Sequence, residues 1–129
     1  MRIALLITIL LFAVLLLAQN NSYVPDPHWK APAKAAEARN PLKGASEAVQ
    51  HGRELFASQC SMCHGSDGQG LANAADFHLR SVRAQSDGSL FWKITNGNQQ
   101  KGMPAFSGLD DHDRWSLVSY LRTFKPKKK

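Results

Sequence analysis

The stretch CSMCHG, Cys60 to Gly65, contains both cysteines of this 129-residue chain. Two thiols separated by two residues admit four explanations: a disulfide, half of a metal site, a redox-active dithiol, or an attachment point for a large group. A disulfide across so short a loop stabilises little. A structural zinc site needs a second ligand pair, and a thioredoxin-like dithiol needs a preceding strand. Neither is evident in the sequence, where the other histidines are His28, His51, His78 and His112.

The histidine that directly follows the second cysteine favours the fourth explanation. Cys-x-x-Cys-His is the signature of c-type haem attachment. Cysteines one helical turn apart can form thioethers with the two vinyl groups of one porphyrin, and the next residue can place its imidazole on the iron. The sequence therefore predicts one haem c, with its iron, held by Cys60, Cys63 and His64.

The opposite face of this iron needs a second ligand or stays open. Of the three methionines, Met62 lies inside the motif and Met1 in the apolar N-terminal segment, which leaves Met103 in the loop KGMPAF. Gly102 allows close backbone approach there, and Pro104 stiffens the position. We therefore expect Met103 as the second axial ligand rather than as a side chain that only fills the core. The alternatives are an open site or a histidine, with His78 the foremost of the four.

The N-terminus indicates export. Arg2 precedes an uncharged run of 16 residues, from Ile3 to Ala18. This length lies between a secretory signal (about 7–15 residues) and a membrane span (about 17–25). Leu16 matches poorly the small residue that a signal peptidase needs, so an uncleaved anchor is slightly favoured over a cleaved signal peptide. Both predict a periplasmic or otherwise extracytoplasmic protein, tethered to the inner membrane or released.

Composition and periodicity divide the chain into four segments. They are a signal peptide or anchor (1–20), an extended linker rich in proline and alanine (21–45), a folded domain (46–125) and a basic tail (126–129). Helical periodicity covers about 46–60, 87–97 and 110–125, with a short helix near 76–83 and no strand pattern. The expected N-caps are Ser46, Asp87 and Asp110. The predicted fold class is all-α, with three to five short helices, and so small a core needs a staple such as a covalent haem.

The net charge of the chain bears on which partners it can bind. The chain has 16 Lys and Arg against 10 Asp and Glu, a net charge of +6. By itself this excess suits an acidic protein face, anionic lipid or nucleic acid equally well. With the haem motif and export, we expect redox proteins with acidic docking faces, membrane contact through an uncleaved N-terminus, and no nucleic acid. The lysines expected to steer such partners are Lys43, Lys101 and Lys127 to Lys129.

Four features in order make residues 46–125 resemble a class I, monohaem cytochrome c. They are a helix with Gly52 and Phe56, the motif CSMCHG, the loop GMPAF and a last helix that reads LVSYLR. The domain is most similar to the short bacterial ones that accompany membrane oxidases and periplasmic dehydrogenases. The resemblance implies a one-electron carrier rather than an enzyme. A haem subunit of a larger oxidase or dehydrogenase complex, and an open-site sensor or peroxidase-like protein, are the alternatives.

The resemblance also implies roles for further side chains. In the family the first and last helices cross closely, and the matching positions here are Gly52, Phe56, Leu117 and Tyr120. The candidate haem-pocket residues are Phe77, Leu90, Phe91, Ile94 and Phe106, and the candidates to pair with haem propionates are Arg80, Arg83 and Trp92. Many members have a proline after the motif whose carbonyl accepts the proximal histidine's N–H. The stretch GSDGQGLANAADF has none, so another carbonyl is expected to orient His64.

Overall fold

The computed structural model of the chain describes residues 23–127. The predicted signal or anchor, residues 1–20, and Lys128 and Lys129 of the predicted tail lie outside the described residues. Within 23–127 the elements are helices without any strand, which confirms the all-α class. None of the helices in this range has the length and apolar character that a membrane span requires.

Residues 23–127 contain six α-helices and one 3₁₀ turn. They are α1 (Ala33–Ala36), α2 (Ser46–Gln59), α3 (Ser61–His64), α4 (Arg80–Arg83), α5 (Asp87–Asn96), the 3₁₀ turn (Gln99–Lys101) and α6 (Asp111–Leu121). The long helices α2, α5 and α6 lie where the periodicity predicted helices. However, α6 ends at Leu121, before the predicted end near 125, because the chain turns and the Thr123 N–H bonds the Tyr120 carbonyl at 2.9 Å.

The predicted N-caps are correct for one of the three long helices. The Asp110 carboxylate caps α6 by accepting the N–H of Asp113 at 2.8 Å. On α5 the cap is Ser86, whose Oγ accepts the N–H of Ser89, because the predicted cap Asp87 instead accepts from Arg122 Nε at 2.6 Å. On α2 the predicted cap Ser46 is the first helical residue, after Ala45.

The core forms where α2 crosses α6. Phe56 from α2 and Leu117 and Val118 from α6 are nearly inaccessible to solvent. At the crossing, a Cβ on Gly52 would overlap the Ser116 carbonyl and lie 3.0 Å from Tyr120 Cβ. Only glycine therefore permits this approach of the two backbones.

Residues 23–45, which we call the strap, pack on the helices. Ser86 Oγ donates to the Ala36 carbonyl at 2.6 Å, and the backbone of Gly88 lies against α1. Asn40, which is buried, donates from Nδ2 to the Trp115 carbonyl at 3.2 Å and to Ser119 Oγ at 2.9 Å. This part of the predicted extended linker is therefore attached to the domain and contains one helical turn. The domain boundaries remain predictions.

Candidate functional site

The motif forms a tight turn at the end of α2. The N–H groups of Cys63 and His64 both donate to the Cys60 carbonyl, at 3.2 and 3.0 Å. This closes the single turn of α3 and separates the two cysteines by one turn. Both thiols are free. Cys60 packs against the core, whereas Cys63 is exposed.

The imidazole of His64 is oriented by a backbone carbonyl. Its Nδ1 lies 3.0 Å from the carbonyl oxygen of Ala75. A carbonyl only accepts hydrogen bonds, so Nδ1 carries the proton and Nε2 keeps its lone pair. This is the tautomer of a histidine that binds a metal through Nε2. Because the partner is a backbone atom, no side-chain pattern in the sequence could have revealed Ala75.

A buried carboxylate fixes the loop that carries this carbonyl. Asp76 is 3% exposed and accepts from the N–H of His78 at 2.9 Å and from Lys127 Nζ at 2.7 Å. The Phe77 N–H donates to the Gly68 carbonyl at 2.8 Å. The loop after the motif is thereby closed on itself and held by the C-terminal segment. The sequence analysis did not single out Asp76, because nothing in the sequence distinguishes this buried carboxylate from an ordinary solvated one.

Burial shapes the protonation of the motif. It lowers the pKa of His64, against the opposing effect of the bond to Ala75, so the neutral imidazole is the stable form at neutral pH. Burial, with a smaller contribution from the neighbouring Cys63, raises the pKa of the Cys60 thiol to about 11. A redox-active dithiol requires the opposite shift, toward thiolate. The environment of Cys60 is therefore unlike that of a reactive dithiol.

Aromatic rings form a wall beside His64. The ring centroid of Phe77 lies 4.7 Å from the imidazole and that of Phe56 lies 6.5 Å from it. Phe124 stacks on Phe77 at 5.7 Å and contacts Phe56 at 5.8 Å. Phe77 was predicted as a pocket residue. Phe124 was not, because it follows the last helix and its position depends on the turn there.

Backbone hydrogen bonds hold both ends of the loop that carries Met103. The Asn98 N–H donates to the Met103 carbonyl at 2.9 Å, and the Met103 N–H donates back to the Asn98 carbonyl at 3.0 Å. The Phe106 N–H then bonds the Ile94 carbonyl of α5 at 3.0 Å. Gly97, which ends α5 with a φ of 64°, would place a Cβ 2.5 Å from the Pro104 carbonyl group. Half-buried Met103 thus sits in a closed loop docked on the end of α5.

The other predicted pocket residues fall into two groups. Leu90 and Ile94 are buried in the core, and Phe91 and Phe106 lie at its edge. Phe91 stacks on Trp115 with the ring centroids 4.0 Å apart. The propionate candidates differ in their surroundings: Arg80 is exposed, Trp92 is half-buried, and Arg83 Nε donates to the Phe124 carbonyl at 3.3 Å.

Two of the alternative axial histidines lie at the crossing of α2 and α6. His51 donates from Nε2 to the Asp113 carboxylate at 2.6 Å, and the ring of His112 lies 5.6 Å from that of His51. A third, His78, uses Nδ1 to donate to the Asp76 carboxylate at 2.7 Å. The fourth, His28, is exposed in the strap.

The donor set of the motif fits a covalently attached haem. Two free thiols lie one turn apart, a neutral imidazole keeps its Nε2 lone pair, and an apolar wall flanks it. Thiols placed in this way can form thioethers with the two vinyl groups of one haem, and the imidazole can bind its iron. The fold and this site define the class of the protein as a c-type cytochrome.

Comparison with known proteins identifies the family. A family model described as cytochrome C oxidase, cbb3-type, subunit III matches residues 47–121. The chain therefore belongs to this family of monohaem class I cytochromes c, and it binds haem c with its iron covalently. No curated protein matches the chain.

The solved structures that resemble the protein include two cytochromes. One is the KustC0563 c-type cytochrome, with 27% sequence identity and a TM-score of 0.52, over 57% of this chain and 96% of that one. The other is Cytochrome CL from the marine methylotrophic bacterium Methylophaga aminisulfidivorans, with 18% identity and a TM-score of 0.57. The match covers 84% of this chain and 81% of Cytochrome CL. At 18% identity it supports the fold alone.

Proposed function

We propose that this protein is an extracytoplasmic electron carrier whose haem c is attached through Cys60 and Cys63 and has His64 and Met103 as its axial ligands. When bound, haem c supplies a one-electron couple between Fe(II) and Fe(III). The observation that carries the proposal is the bond from His64 Nδ1 to the Ala75 carbonyl, within a Cys-x-x-Cys-His turn of a chain that belongs to a cytochrome c family.

Each residue of the site has a distinct task in this proposal. The two cysteines fix the cofactor against the end of α2. The Ala75 carbonyl holds the His64 ring and, by accepting its proton in a hydrogen bond, raises the basicity of the ligating Nε2. Met103 contributes a thioether, and Met/His ligation favours the reduced iron and so raises the midpoint potential. The aromatic wall of Phe56, Phe77 and Phe124 limits water access, which further disfavours the more highly charged oxidised state.

The proposal predicts the redox behaviour of a Met103→Leu variant of the holoprotein. Leucine keeps the apolar volume but has no donor atom, so the midpoint potential should fall by more than about 100 mV, within the range of roughly 0.8 V that axial ligands span. Potentiometric titration followed by the haem absorbance measures the shift. The reduced variant should also bind carbon monoxide readily, whereas the six-coordinate parent should resist it.

The matched control is Met62→Leu. Met62 lies within the motif, but its surface is 88% exposed, so this change should leave the potential and the carbon monoxide reaction unaltered. An unchanged potential in Met103→Leu would remove Met103 from the ligand set. Carbon monoxide binding by the unaltered protein would favour the open-site alternative.

A second candidate function is a haem subunit of a larger oxidoreductase complex, because the matching family model carries the description of an oxidase subunit. Affinity purification of the full chain from detergent-solubilised membranes separates the two. Stoichiometric co-purification of oxidase or dehydrogenase subunits would support the subunit, and isolation of the monohaem chain alone would support the carrier. Intact mass measurement of the same sample gives the haem count and reports whether residues 1–20 are retained.

A further inference from the structure

The strap contacts the loop that carries Met103. Trp29 donates from its indole Nε1 to the Gly97 carbonyl at 2.9 Å, a bond between residues 68 positions apart. Asn98 adds a longer contact from Nδ2 to the Asp26 carboxylate at 3.4 Å. Two neighbouring residues at the start of the loop are thus held by two residues of the strap.

The indole contacts a second residue, and its backbone lies in a turn. Lys93 Nζ lies 4.5 Å from the centroid of the Trp29 ring, in the geometry of a cation–π contact. The backbone N–H of Trp29 donates to the Asp26 carbonyl at 3.3 Å, and the Asp26 carboxylate accepts the backbone N–H of His28 at 2.9 Å, which closes a turn. The donor that reaches Gly97 is therefore presented by an ordered turn and backed by a side chain of α5.

The Trp29 bond acts on the peptide unit that also holds Met103. The carbonyl of Gly97 and the N–H of Asn98 belong to one planar peptide group. Its oxygen accepts from Trp29, and its N–H donates to the Met103 carbonyl at 2.9 Å. A rotation of this peptide would break both bonds together. Gly97, which has a φ of 64°, has no Cβ, so its backbone has more conformational freedom than that of other residues.

We propose that Trp29 is a positioning residue for Met103: the indole locks the Gly97–Asn98 peptide and thereby keeps the methionine loop closed. The inference rests on the proposed function, in which Met103 is an axial ligand. It assigns to the strap an indirect influence, through the Gly97–Asn98 peptide, on the bond between the Met103 sulfur and the haem iron. Loss of the indole N–H leaves the ligand in place but makes its transient release more frequent.

The test uses the holoprotein with Trp29→Phe, which keeps an aromatic ring beside Lys93 but lacks the N–H donor. One lost hydrogen bond should increase the population of the open loop about threefold to tenfold. The rate of carbon monoxide binding to the reduced protein, which requires methionine release, should rise by the same factor. Amide hydrogen exchange at Asn98 and Met103 should accelerate in parallel.

The matched control is Asn40→Ala, which removes strap bonds to α6 and not to the methionine loop. It should lower the global unfolding free energy but leave carbon monoxide binding and the exchange of Met103 unchanged. Equal effects of the two variants, or no effect of Trp29→Phe, would overturn the positioning role.

The sulfur-to-iron charge-transfer band of the oxidised parent protein separates failure of this inference from failure of the proposed function. A parent protein without that band, and with a potential unaffected by Met103→Leu, would refute methionine ligation and the inference with it. A parent with the band, together with a Trp29→Phe variant that behaves like it, would refute the inference alone.

Discussion

At the residue scale, Gly52 has the closest packing of the glycines in residues 23–127, with a backbone oxygen 2.0 Å from the position of a Cβ. Glycine inside a helix costs about 1 kcal/mol relative to alanine, yet this one lies in the middle of α2. The reason is tertiary: the Ser116 carbonyl occupies the place where a Cβ would be. The closeness of the crossing, which buries Phe56 and Leu117, more than offsets the propensity cost.

A Gly52→Ala substitution should therefore destabilise the protein, although alanine is the better helix former. The added methyl group forces α2 and α6 apart, and overpacking of this kind costs about 1–3 kcal/mol. Chemical denaturation of the holoprotein measures the change. Gly108→Ala is the control, because a Cβ there meets nothing within 4 Å. A Gly52→Ala protein as stable as the parent would contradict the packing described.

At the scale of elements, the loop between α3 and α4 depends on Asp76. Burial raises the pKa of this carboxyl, but the bonds from Lys127 and His78 outweigh that effect and hold the pKa below its usual 3.8. A group with a lowered folded pKa stabilises the fold above its unfolded pKa, and the stabilisation is lost as the pH falls through the folded value. The Ala75 carbonyl that orients His64 lies next to this group.

Asp76→Asn should consequently be less stable than the parent at pH 7, by about 1–3 kcal/mol. The difference should begin to shrink below about pH 4, where the carboxyl of the unfolded parent becomes protonated, and should vanish only below the lowered pKa of the folded protein. Urea unfolding of both proteins from pH 7 to pH 3 measures this dependence. Asp67→Asn removes an exposed charge from the same loop and should have little effect. A deficit that persists unchanged at pH 3 would exclude the ionised carboxylate as its source.

At the scale of the whole molecule, the surface charge bears on the encounter with partners. The net charge is +6, and Lys43 and Lys101 are exposed. Lys127, which the sequence analysis grouped with them, is tied to Asp76 by an ion pair of 2.7 Å. Of the lysines expected to steer partners, Lys43 and Lys101 are thus exposed, and part of the charge of Lys127 is neutralised. Lys128 and Lys129 lie outside the described residues.

Electron transfer to an acidic redox protein should slow as salt is added, because opposite charges accelerate encounter and ions screen them. With an acidic blue-copper protein as the probe, we expect the second-order rate constant to fall at least about tenfold between about 0.01 and 0.3 M ionic strength. Lys101→Glu should reduce the rate at low salt only. A neutral small-molecule oxidant is the control. Rates with the protein probe that do not depend on salt would refute charge steering.

Much of the fold and of the candidate site could be predicted from local patterns. The apolar spacing of α2, α5 and α6 and the Asp110 cap are encoded within a few residues of each helix. The prediction of a haem c site required only six consecutive residues, because the spacing of the cysteines and the adjacent histidine specify that chemistry. Gly52 is unfavourable inside a helix, and its presence in α2 therefore indicated that another element approaches the helix closely there.

The tertiary structure alone decided which distant groups meet. Three bonds join residues that lie 11, 51 and 68 positions apart: His64 to the Ala75 carbonyl, Lys127 to Asp76, and Trp29 to the Gly97 carbonyl. Two of the three involve backbone carbonyls. Every residue has such a carbonyl, so the sequence carries no mark of the one that is used. The amino-acid sequence by itself determined the class of cofactor and the helices around it. The packing of loops and strap determined how the imidazole is oriented and how the methionine loop is held, because long-range hydrogen bonds depend on the path of the chain.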